Sequence, residues 1–346
     1  MRHGPTGMIP HNIPTLGLEE QAAASRVLAS AWVAQGTEVE AFENDLCQFL
    51  NLPSGQAVAV SSGSAALYLG LWALKGKDKL IGLPVYACSA LRNAVGLVEG
   101  NCVYLDCAEN SPNVDTAAAM AAGIDILIAP SMFGIPVELP TTPKFSVIED
   151  IAQSIGASVS GERIGLRGDL GVCSFYASKL LTTGGQGGAI VSRDKALIDA
   201  VRDYRAFDSR IDTNLRFNFQ MTDLQAAIGR VQLRRLPEFL EQREKWFAAY
   251  SEAGLKLLDD SKPSVQPARY RAVMRCDDPT RVITALASNG VRSIVPIEEK
   301  ELLDEPMHYP NARALTITTV SLPAYPGMQM ADVVRIGRIA HAGSLQ

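Results

Sequence analysis

The sequence has few of the residues that build metal centres. Its 346 residues include only four histidines, and none of its cysteines has CxxC spacing. Zinc sites need cysteine or histidine ligands at short regular spacings, and disulfide frameworks belong mostly to short, cysteine-dense secreted chains. We therefore expect no metal site, and we expect six reduced and buried cysteines: Cys47, Cys88, Cys102, Cys107, Cys173 and Cys276.

Clustered positive charge is also missing. The net charge is −5, and the sequence has no long run of lysine and arginine of the kind that binds nucleic acid or anionic membranes. The N-terminal segment MRHGPTGMIPHNIPTLG lacks the apolar core of a signal peptide. The most apolar stretch, AVAVSSGSAALYLGLWAL, is interrupted by serines and glycines. We expect a cytoplasmic enzyme for small molecules, with neither nucleic acid nor a membrane as its partner.

Short apolar segments alternate with helical patterns through the first two thirds of the chain. Seven of these segments are strand-like: AVAVSS, KLIGLP, CVYLD, IDILIAP, FSVIED, LGVCSF and GAIVS. This alternation predicts an α/β fold with a mostly parallel sheet covered by helices on both faces. The pattern changes near Pro237, where a long charged helix begins and strand–helix pairs become few.

That change divides the chain into two predicted domains. We predict an N-terminal arm and a large domain over residues 1–236, and a smaller α+β domain over residues 237–346. One continuous doubly wound domain is the alternative.

Polar residues follow two of the predicted strands. Ser61 to Ser64, in SSGSAAL, open a helix, so their backbone N–H groups and hydroxyls can converge on an anion. The stretch lacks the spacing of a P-loop or of GxGxxG, which leaves a monophosphate site. Asp150 ends VIED, at the strand end where open α/β sheets bind ligands. Either feature alone is weak, because serine, glycine and aspartate are also ordinary cap and turn residues.

A single lysine, Lys179, lies in SFYASKLLTTGGQGG between a strand and a glycine-rich loop. A lone lysine is most often a solvated surface charge. Here, however, the preceding strand places it on the same side of the sheet as Asp150. Pyridoxal phosphate needs an amine for its aldehyde, a carboxylate for its ring nitrogen, and N–H and O–H donors for its phosphate. The stretches SFYASKLLTTGGQGG, VIED and SSGSAAL together supply the amine, the carboxylate and the phosphate donors.

In combination these motifs resemble the DegT/DnrJ/StrS-type sugar aminotransferases, which depend on pyridoxal phosphate and belong to the aspartate aminotransferase superfamily (fold type I). The resemblance runs from about Ile9 through the helix after the last motif. Six motifs occur in the family's order: GTEVEAFE, SSGSAAL, VIEDIAQSIGA, SFYASKLLTTGGQGG, NFQMTDLQAAIG and SLPAYPG.

This resemblance implies a fold, a reaction and an assembly. The fold is a mostly parallel seven-stranded sheet between helices, with a smaller α+β domain at the C-terminus. The reaction moves an amino group from L-glutamate or glutamine to a keto sugar, carried on a nucleotide, for amino-sugar, polysaccharide or glycoside biosynthesis. The assembly is a homodimer whose subunits share their active sites.

The resemblance also assigns roles around the cofactor ring. Lys179 forms the Schiff base with pyridoxal phosphate and acts with Asp150, which pairs with the pyridinium nitrogen. Gln153 lies near the ring hydroxyl, and Ala152 packs on the ring face. Cys88 occupies the position where many family members have an aromatic residue on the ring.

A second group of residues is assigned to the phosphate. Gly63, Ser64 and Ser174 hold it within one subunit, and Asn218, in NFQM, reaches the phosphate of the partner subunit.

The sequence departs from the family's pattern at several positions. Tyr86 lies two residues before Cys88 and is a second candidate for stacking on the ring. Gln186 replaces a usual glutamate, and Gln220 replaces an arginine. The segment GVRSIVPIEEKELLDEPMHYPNARAL shows no clear histidine-containing substrate motif.

Other functions remain open from the sequence. The family includes a dehydratase branch in which histidine replaces the lysine, and a member can keep the fold with a regulatory role. The acceptor can also be a cyclitol or another ketone without a nucleotide. An unrelated α/β binding protein with a surface lysine would bind no cofactor.

Overall fold

The computed structural model describes residues 7–259 and 262–345. The strands are β1 (Ala57–Val60), β2 (Leu80–Pro84), β3 (Asn101–Leu105), β4 (Ile126–Pro130), β5 (Ser146–Asp150), β6 (Ser158–Val159), β7 (Glu162–Arg163), β8 (Leu170–Ser174), β9 (Gly188–Val191), β10 (Val265–Gln266), β11 (Ala272–Arg275) and β12 (Thr319–Leu322). The helices are α1 (Leu18–Ser30), α2 (Thr37–Phe49), α3 (Gly63–Ala73), α4 (Ala90–Leu97), α5 (Thr116–Ala121), α6 (Lys195–Arg205), α7 (Asp223–Glu252), α8 (Pro279–Ser288), α9 (Pro310–Thr318) and α10 (Met330–Leu345). Short 3₁₀ turns cover Met132–Gly134, Glu299–Glu301 and Pro306–His308.

All seven predicted strands join one sheet in the order β1-β9-β8-β5-β4-β2-β3. Only β9 is antiparallel to its neighbours, β1 and β8, while the other pairs run parallel. The prediction of a mostly parallel seven-stranded sheet is therefore confirmed. Because β1, β2, β4, β5 and β8 point the same way, their carboxyl ends meet at one edge of the sheet.

The sheet is buried on both faces. Side chains alternate between faces along a strand, so Val58 and Val60 pack in one hydrophobic cluster while Ala57 and Ala59 pack in the other. The first cluster includes α3 and α4, and the second includes α2 and the first half of α7. Helices thus cover both faces, as the continuous apolar strands predict.

Helix α7 is a single helix of 30 residues that contains Pro237. The prediction that a helix begins near Pro237 is therefore wrong, because the helix already begins at Asp223. Proline removes one backbone hydrogen bond, but buried residues continue at helical spacing across it, from Leu233 and Leu236 to Phe239 and Arg243. The predicted boundary between residues 236 and 237 falls inside this helix, and the division into domains stays a prediction.

The C-terminal part has its own core. Strands β11 and β12 pair antiparallel and pack with α8, α10 and the end of α7 in a third hydrophobic cluster. Its α+β character was predicted, although α9 and β12 were not. None of the helices within residues 7–259 and 262–345 is long and apolar enough to cross a membrane.

All six cysteines are free. Four of them are buried, as expected: Cys47, Cys107, Cys173 and Cys276. Cys102 is half-buried and Cys88 is exposed, so the expectation of burial is wrong for these two.

Candidate active site

A cavity of about 660 Å³ opens at the carboxyl edge of the sheet. It lies where the ends of β4, β5 and β8 meet the first residues of α3. Eight of the nine residues predicted to contact a cofactor line it: Gly63, Ser64, Cys88, Asp150, Ala152, Gln153, Ser174 and Lys179. The topology therefore gathers residues that are more than 100 positions apart in the sequence.

The N-terminus of α3 forms one end of the cavity. Ser62 caps the helix by accepting a hydrogen bond from the Ala65 amide at 3.1 Å. The first intrahelical bond runs from the Ala66 amide to the Ser62 carbonyl (3.0 Å), so the Gly63 and Ser64 amides precede it. Amides at a helix N-terminus attract anions.

Gly63 is required at this position by its contact with Ser174. A Cβ atom added to Gly63 would lie 2.7 Å from the Ser174 Cβ and 2.9 Å from its Oγ. The backbone of α3 therefore approaches β8 as closely as glycine allows, and the Ser174 hydroxyl lies beside the helix amides. This arrangement offers backbone and hydroxyl donors to one phosphate group.

Neighbouring carboxylates at the end of β5 have different environments. Asp150 lines the cavity, and its Oδ1 accepts a hydrogen bond from the Ala152 amide at 2.9 Å. Burial raises the pKa of Asp150, against the opposing effects of that amide and of the Lys179 charge. Glu149 is fully buried away from the cavity and binds Arg167 and the Gly165 amide, so its role is structural.

Lys179 lies in the loop that follows β8. Its amide donates to the Tyr176 carbonyl at 2.9 Å, and the carbonyl of Ser178 accepts from the Asn12 side chain at 2.7 Å. The loop is thus fixed by a hydrogen bond within it and by a second one from Asn12 of the N-terminal arm. The Lys179 side chain is half-buried and lines the cavity, and its Nζ lies 5.5 Å from the centroid of the Tyr270 ring.

Gln153 is held in place by the turn after β4. Its Oε1 accepts a hydrogen bond from the Phe133 amide at 2.8 Å. Phe133 has a left-handed backbone (φ 57°) although it is not glycine, and its ring packs edge-on against the buried Tyr86. The Gln153 side chain and Ala152 therefore present fixed groups to the cavity.

The two candidates for stacking on a cofactor ring are separated by the structure. Cys88 is exposed and lines the cavity, whereas Tyr86 is fully buried and does not line it. Tyr86 therefore cannot stack on a ligand in this cavity. Of the two, only Cys88 borders the cavity, and its place on the ring stays a prediction.

Asn218 is exposed and does not line the cavity of its own chain. Its Oδ1 accepts from the Gln220 amide at 3.0 Å, and Gln220 forms a β-bridge with Val60. Its predicted role, across a dimer interface, stays a prediction. Gln186 does line the cavity, at the glycine-rich loop.

Tyr270 and Arg271, just before β11, are among the cavity residues that were not predicted from the sequence. Burial alone would raise the pKa of the Tyr270 phenol, but the charges of Lys179 and Arg271 lower it overall. The only sequence signal is the short basic-aromatic run RYR. Nothing in this run indicates that it borders the same cavity as Lys179, which lies about 90 residues earlier in the chain.

A third wall comes from α4 and from the segment between β11 and α9. It presents apolar side chains with charged groups at its edge: Leu91, Arg92, Pro296, Ile297, Lys300, Glu301, Leu302 and Leu303. This wall leaves room in the cavity for a substrate beside a cofactor.

The residues present fit pyridoxal phosphate. A buried carboxylate, a half-buried amine and a helix N-terminus line one cavity, and these are the kinds of group that the ring nitrogen, the aldehyde and the phosphate of this cofactor need. Gly63 keeps open the space that a Cβ atom would fill beside Ser174.

Comparisons with known proteins agree with this geometry. The model of the DegT/DnrJ/EryC1/StrS aminotransferase family matches residues 14–340. Over 94% of both chains, the sequence is 29% identical to the spore coat polysaccharide biosynthesis protein SpsC of Bacillus subtilis. Over 94% of both chains, it is 27% identical to the dTDP-4-dehydro-2,3,6-trideoxy-D-glucose 4-aminotransferase of Saccharopolyspora spinosa.

Solved structures give the same fold. The structure of S. venezuelae DesV in complex with a ketimine intermediate superposes with a TM-score of 0.88 and 25% sequence identity, covering 97% of this chain and 99% of that chain. The predicted fold type is confirmed.

Proposed function

Because the chain belongs to the DegT/DnrJ/EryC1/StrS aminotransferase family, we propose that it uses pyridoxal phosphate to move an amino group from L-glutamate or glutamine to a keto sugar carried on a nucleotide. One observation carries this proposal. Lys179, Asp150 and the α3 N-terminus line a single cavity that also has room for a substrate. An aminotransferase needs all of these features in one place.

Each part of the cofactor has a matching group. The α3 amides of Gly63 and Ser64, with the Ser174 hydroxyl, would hold the phosphate, and Asp150 would hold the ring nitrogen. Pyridoxal phosphate, when bound, supplies an aldehyde that condenses with amines and a protonated ring that accepts electron density. Asp150 is suited to this task because a buried carboxylate gains most from a positive partner.

Lys179 is the base of the proposed reaction. Its half-buried amine lines the same cavity as Asp150. It takes the proton from the α-carbon of the donor and delivers a proton to the amino carbon of the product. The same side chain must link to the cofactor and move the proton of the substrate, and an amine can do both. The presence of Lys179 rather than histidine therefore opposes the dehydratase alternative.

The substrate class is supported by the relatives and by the third wall. The S. spinosa relative is named as acting on a dTDP-linked keto sugar. Here the apolar side chains of Leu91, Ile297 and Leu302 offer a surface for a sugar ring, and the exposed Arg92 at the cavity edge offers a cation for phosphates. The SpsC relative makes polysaccharide biosynthesis a reasonable setting.

A homodimer completes the proposal. Asn218 is exposed on a segment with three large exposed apolar side chains: Ile211, Leu215 and Phe217. Exposed apolar side chains close together in sequence favour a protein interface. In a dimer, Asn218 reaches the phosphate site of the partner.

The test is a visible absorption spectrum of the purified protein with pyridoxal phosphate, before and after L-glutamate. We expect a band from the lysine-linked cofactor in the wild type, and we expect L-glutamate to bleach it. Lys179→Ala removes the linkage and the bleaching. Lys195→Ala is the matched control, because Lys195 is exposed and paired with Asp199 on α6.

The outcomes separate the alternatives. A band that no amino donor bleaches supports a regulatory role, and the absence of any band contradicts cofactor binding. Once bleaching is established, dTDP-linked and UDP-linked keto sugars are offered to the aminated protein, and recovery of the band identifies the acceptor.

A further inference from the structure

The ring of Tyr270 is surrounded by three positively charged side chains. The Lys179 Nζ atom lies 5.5 Å from the ring centroid, and the guanidinium carbons of Arg271 and Arg243 lie 5.4 Å and 6.0 Å from it. A cation within about 6 Å of an aromatic ring centroid is attracted to the face of the ring. The Tyr270 side chain lines the cavity and is only 6% exposed. Because the site is largely shielded from water, these attractions are stronger than they would be at an exposed ring.

The three cations differ in their other contacts. The buried Arg243 donates hydrogen bonds to two backbone carbonyls, at 2.9 Å and 2.6 Å. Arg271 contacts a histidine and a serine side chain, each at 3.4 Å. Within residues 7–259 and 262–345, the Lys179 amine forms no hydrogen bond or ion pair. Its contact with the Tyr270 ring is therefore the interaction that defines where this amine lies.

The phenol of Tyr270 responds to the same charges. Burial alone would raise its pKa, but the charges of Lys179 and of both arginines, together with the Ser178 side chain, lower the pKa overall. The charge of Lys179 also acts on the Asp150 carboxylate. By reciprocity, a phenol oxygen that gains negative charge attracts a lysine that carries a proton. Ring and phenol therefore both favour an ammonium group at the position of Lys179.

We propose that Tyr270 is a positioning residue for Lys179, whose amine it binds whenever that amine is not linked to the cofactor. The inference rests on the proposed aminotransferase function, in which Lys179 is released, takes a proton from the donor and carries it as an ammonium group. A lysine side chain is long and flexible, so a released amine without a partner would occupy many positions. The Tyr270 ring limits these positions to one part of the cavity.

A purely structural role for Tyr270 is the alternative, because its ring also packs in the second hydrophobic cluster. Packing alone would affect stability and cofactor affinity. It would not couple the phenol to the charge of Lys179, and it would not change the proton-transfer step. These two properties separate the alternatives.

The first experiment titrates the phenol in the cofactor-free protein by the ultraviolet absorption of ionised tyrosine. Burial raises the pKa of six other tyrosines, so Tyr270 should ionise before them: Tyr68, Tyr86, Tyr104, Tyr250, Tyr309 and Tyr325. Tyr270→Phe should remove this first step. Lys179→Ala should move the step up by about 1–2 pH units, as Coulomb's law gives for unit charges about 5–8 Å apart at an effective dielectric constant of about 20. Lys195→Ala, the exposed control, should leave it in place.

The second experiment follows bleaching of the cofactor-loaded protein by saturating L-glutamate. The bleaching rate should fall about 3- to 30-fold in Tyr270→Leu, the range for losing a cation–aromatic contact that is shielded from water. Tyr270→Phe keeps the ring, so a smaller fall is expected. Glutamate deuterated at the α-carbon should show a larger isotope effect in Tyr270→Leu than in the wild type, because proton transfer has become the slower step. The half-saturating concentration should not change.

Tyr325→Phe is the matched control for these rates. Tyr325 packs in the third hydrophobic cluster and does not line the cavity. Its substitution should leave the bleaching rate and the isotope effect at their wild-type values.

Each outcome decides a separate statement. If Lys179→Ala leaves the first phenol step in place, or if the Tyr270 variants bleach at the wild-type rate, Tyr270 does not bind the released amine while the proposed function survives. Weaker cofactor binding with an unchanged isotope effect assigns the ring to packing and also overturns the proposal. If Tyr270→Leu fails to fold, the phenol titration and Tyr270→Phe still decide. If L-glutamate does not bleach the wild type, the proposed function falls, and the titration still tests the contact between Lys179 and Tyr270.

Discussion

Replacing Asp150 by asparagine separates what this carboxylate does to the fold from what it does for the cofactor. Asparagine keeps the size of the side chain and an oxygen that can accept from the Ala152 amide, but it cannot ionise. In the cofactor-free protein, burial raises the pKa of Asp150. The folded state therefore holds the Asp150 proton more tightly than the unfolded chain does.

The sign of the effect on stability follows from this difference. The stabilising contribution of the raised pKa is fully present below the unfolded pKa of about 3.9 and is lost as pH rises through the folded pKa. Asp150→Asn removes this loss. The variant should match the wild type at about pH 4 and exceed it at about pH 8, by about 1.4 kcal/mol for each unit by which the pKa is raised.

The effect on cofactor binding has the opposite sign. A hydrogen bond to a charged group contributes about 1.5–3 kcal/mol, so a neutral amide opposite the ring nitrogen should weaken cofactor binding about 10- to 150-fold. The variant is thus expected to be more stable without cofactor and poorer at binding it. Few structural substitutions change these two quantities in opposite directions.

Urea unfolding of the cofactor-free protein at a series of pH values, followed by tryptophan fluorescence, measures the first effect, and cofactor titration measures the second. Asp199→Asn is the control, because Asp199 is exposed on α6 and should alter neither. If Asp150→Asn loses stability relative to the wild type as pH rises, the fold stabilises the carboxylate and our reasoning is wrong. Unchanged cofactor affinity would remove Asp150 from the ring nitrogen.

Three further predictions follow from the cavity. Gly63→Ala should weaken cofactor binding at least tenfold in a titration, because its Cβ meets Ser174 at 2.7 Å, whereas Gly96→Ala on α4 meets nothing and should not. Glu149→Gln should lower the free energy of unfolding by about 1–3 kcal/mol in urea, since it leaves the half-buried Arg167 without its carboxylate partner; an unchanged stability contradicts the structural role. Cys88 should be the first cysteine alkylated, by mass spectrometry, and bound cofactor should protect it; equal labelling of Cys107 argues otherwise.

The large sheet could be predicted because each of its strands is a short, continuously apolar segment between turn residues. Strands β6, β7 and β10 have only two residues each, too few to show a period. Helix α9 passes into β12 between Thr318 and Thr319, with no glycine or proline to mark the change. At Pro237 the error was the reverse: a boundary was predicted where the structure has none. Tertiary packing on both sides of the proline outweighs the local cost of the lost hydrogen bond.

The residues of the cofactor site could be predicted for a topological reason. Gly63, Asp150 and Ser174 lie at or next to the carboxyl ends of parallel strands, and parallel pairing necessarily brings such ends to one edge. Cys88 follows from the same rule, because it lies shortly after Pro84, the last residue of β2. The rule does not predict how deeply a side chain is buried. It therefore cannot distinguish Tyr86, which is buried in the core, from Cys88, which borders the cavity.

Arg271 could not be predicted by this rule, because it does not lie at the end of a strand of the large sheet. Its neighbours His11 and Ser321 are 260 and 50 positions away along the chain. No periodicity or motif links these segments, and an arginine beside a tyrosine is unremarkable as sequence. The feature that marks Arg271 is a property of the folded chain, namely a guanidinium that contacts the neutral side chains of His11 and Ser321 in the cavity that Lys179 also lines. A charge without an ionic partner is costly to place in a cavity, and nothing in the sequence indicates that Arg271 has this environment.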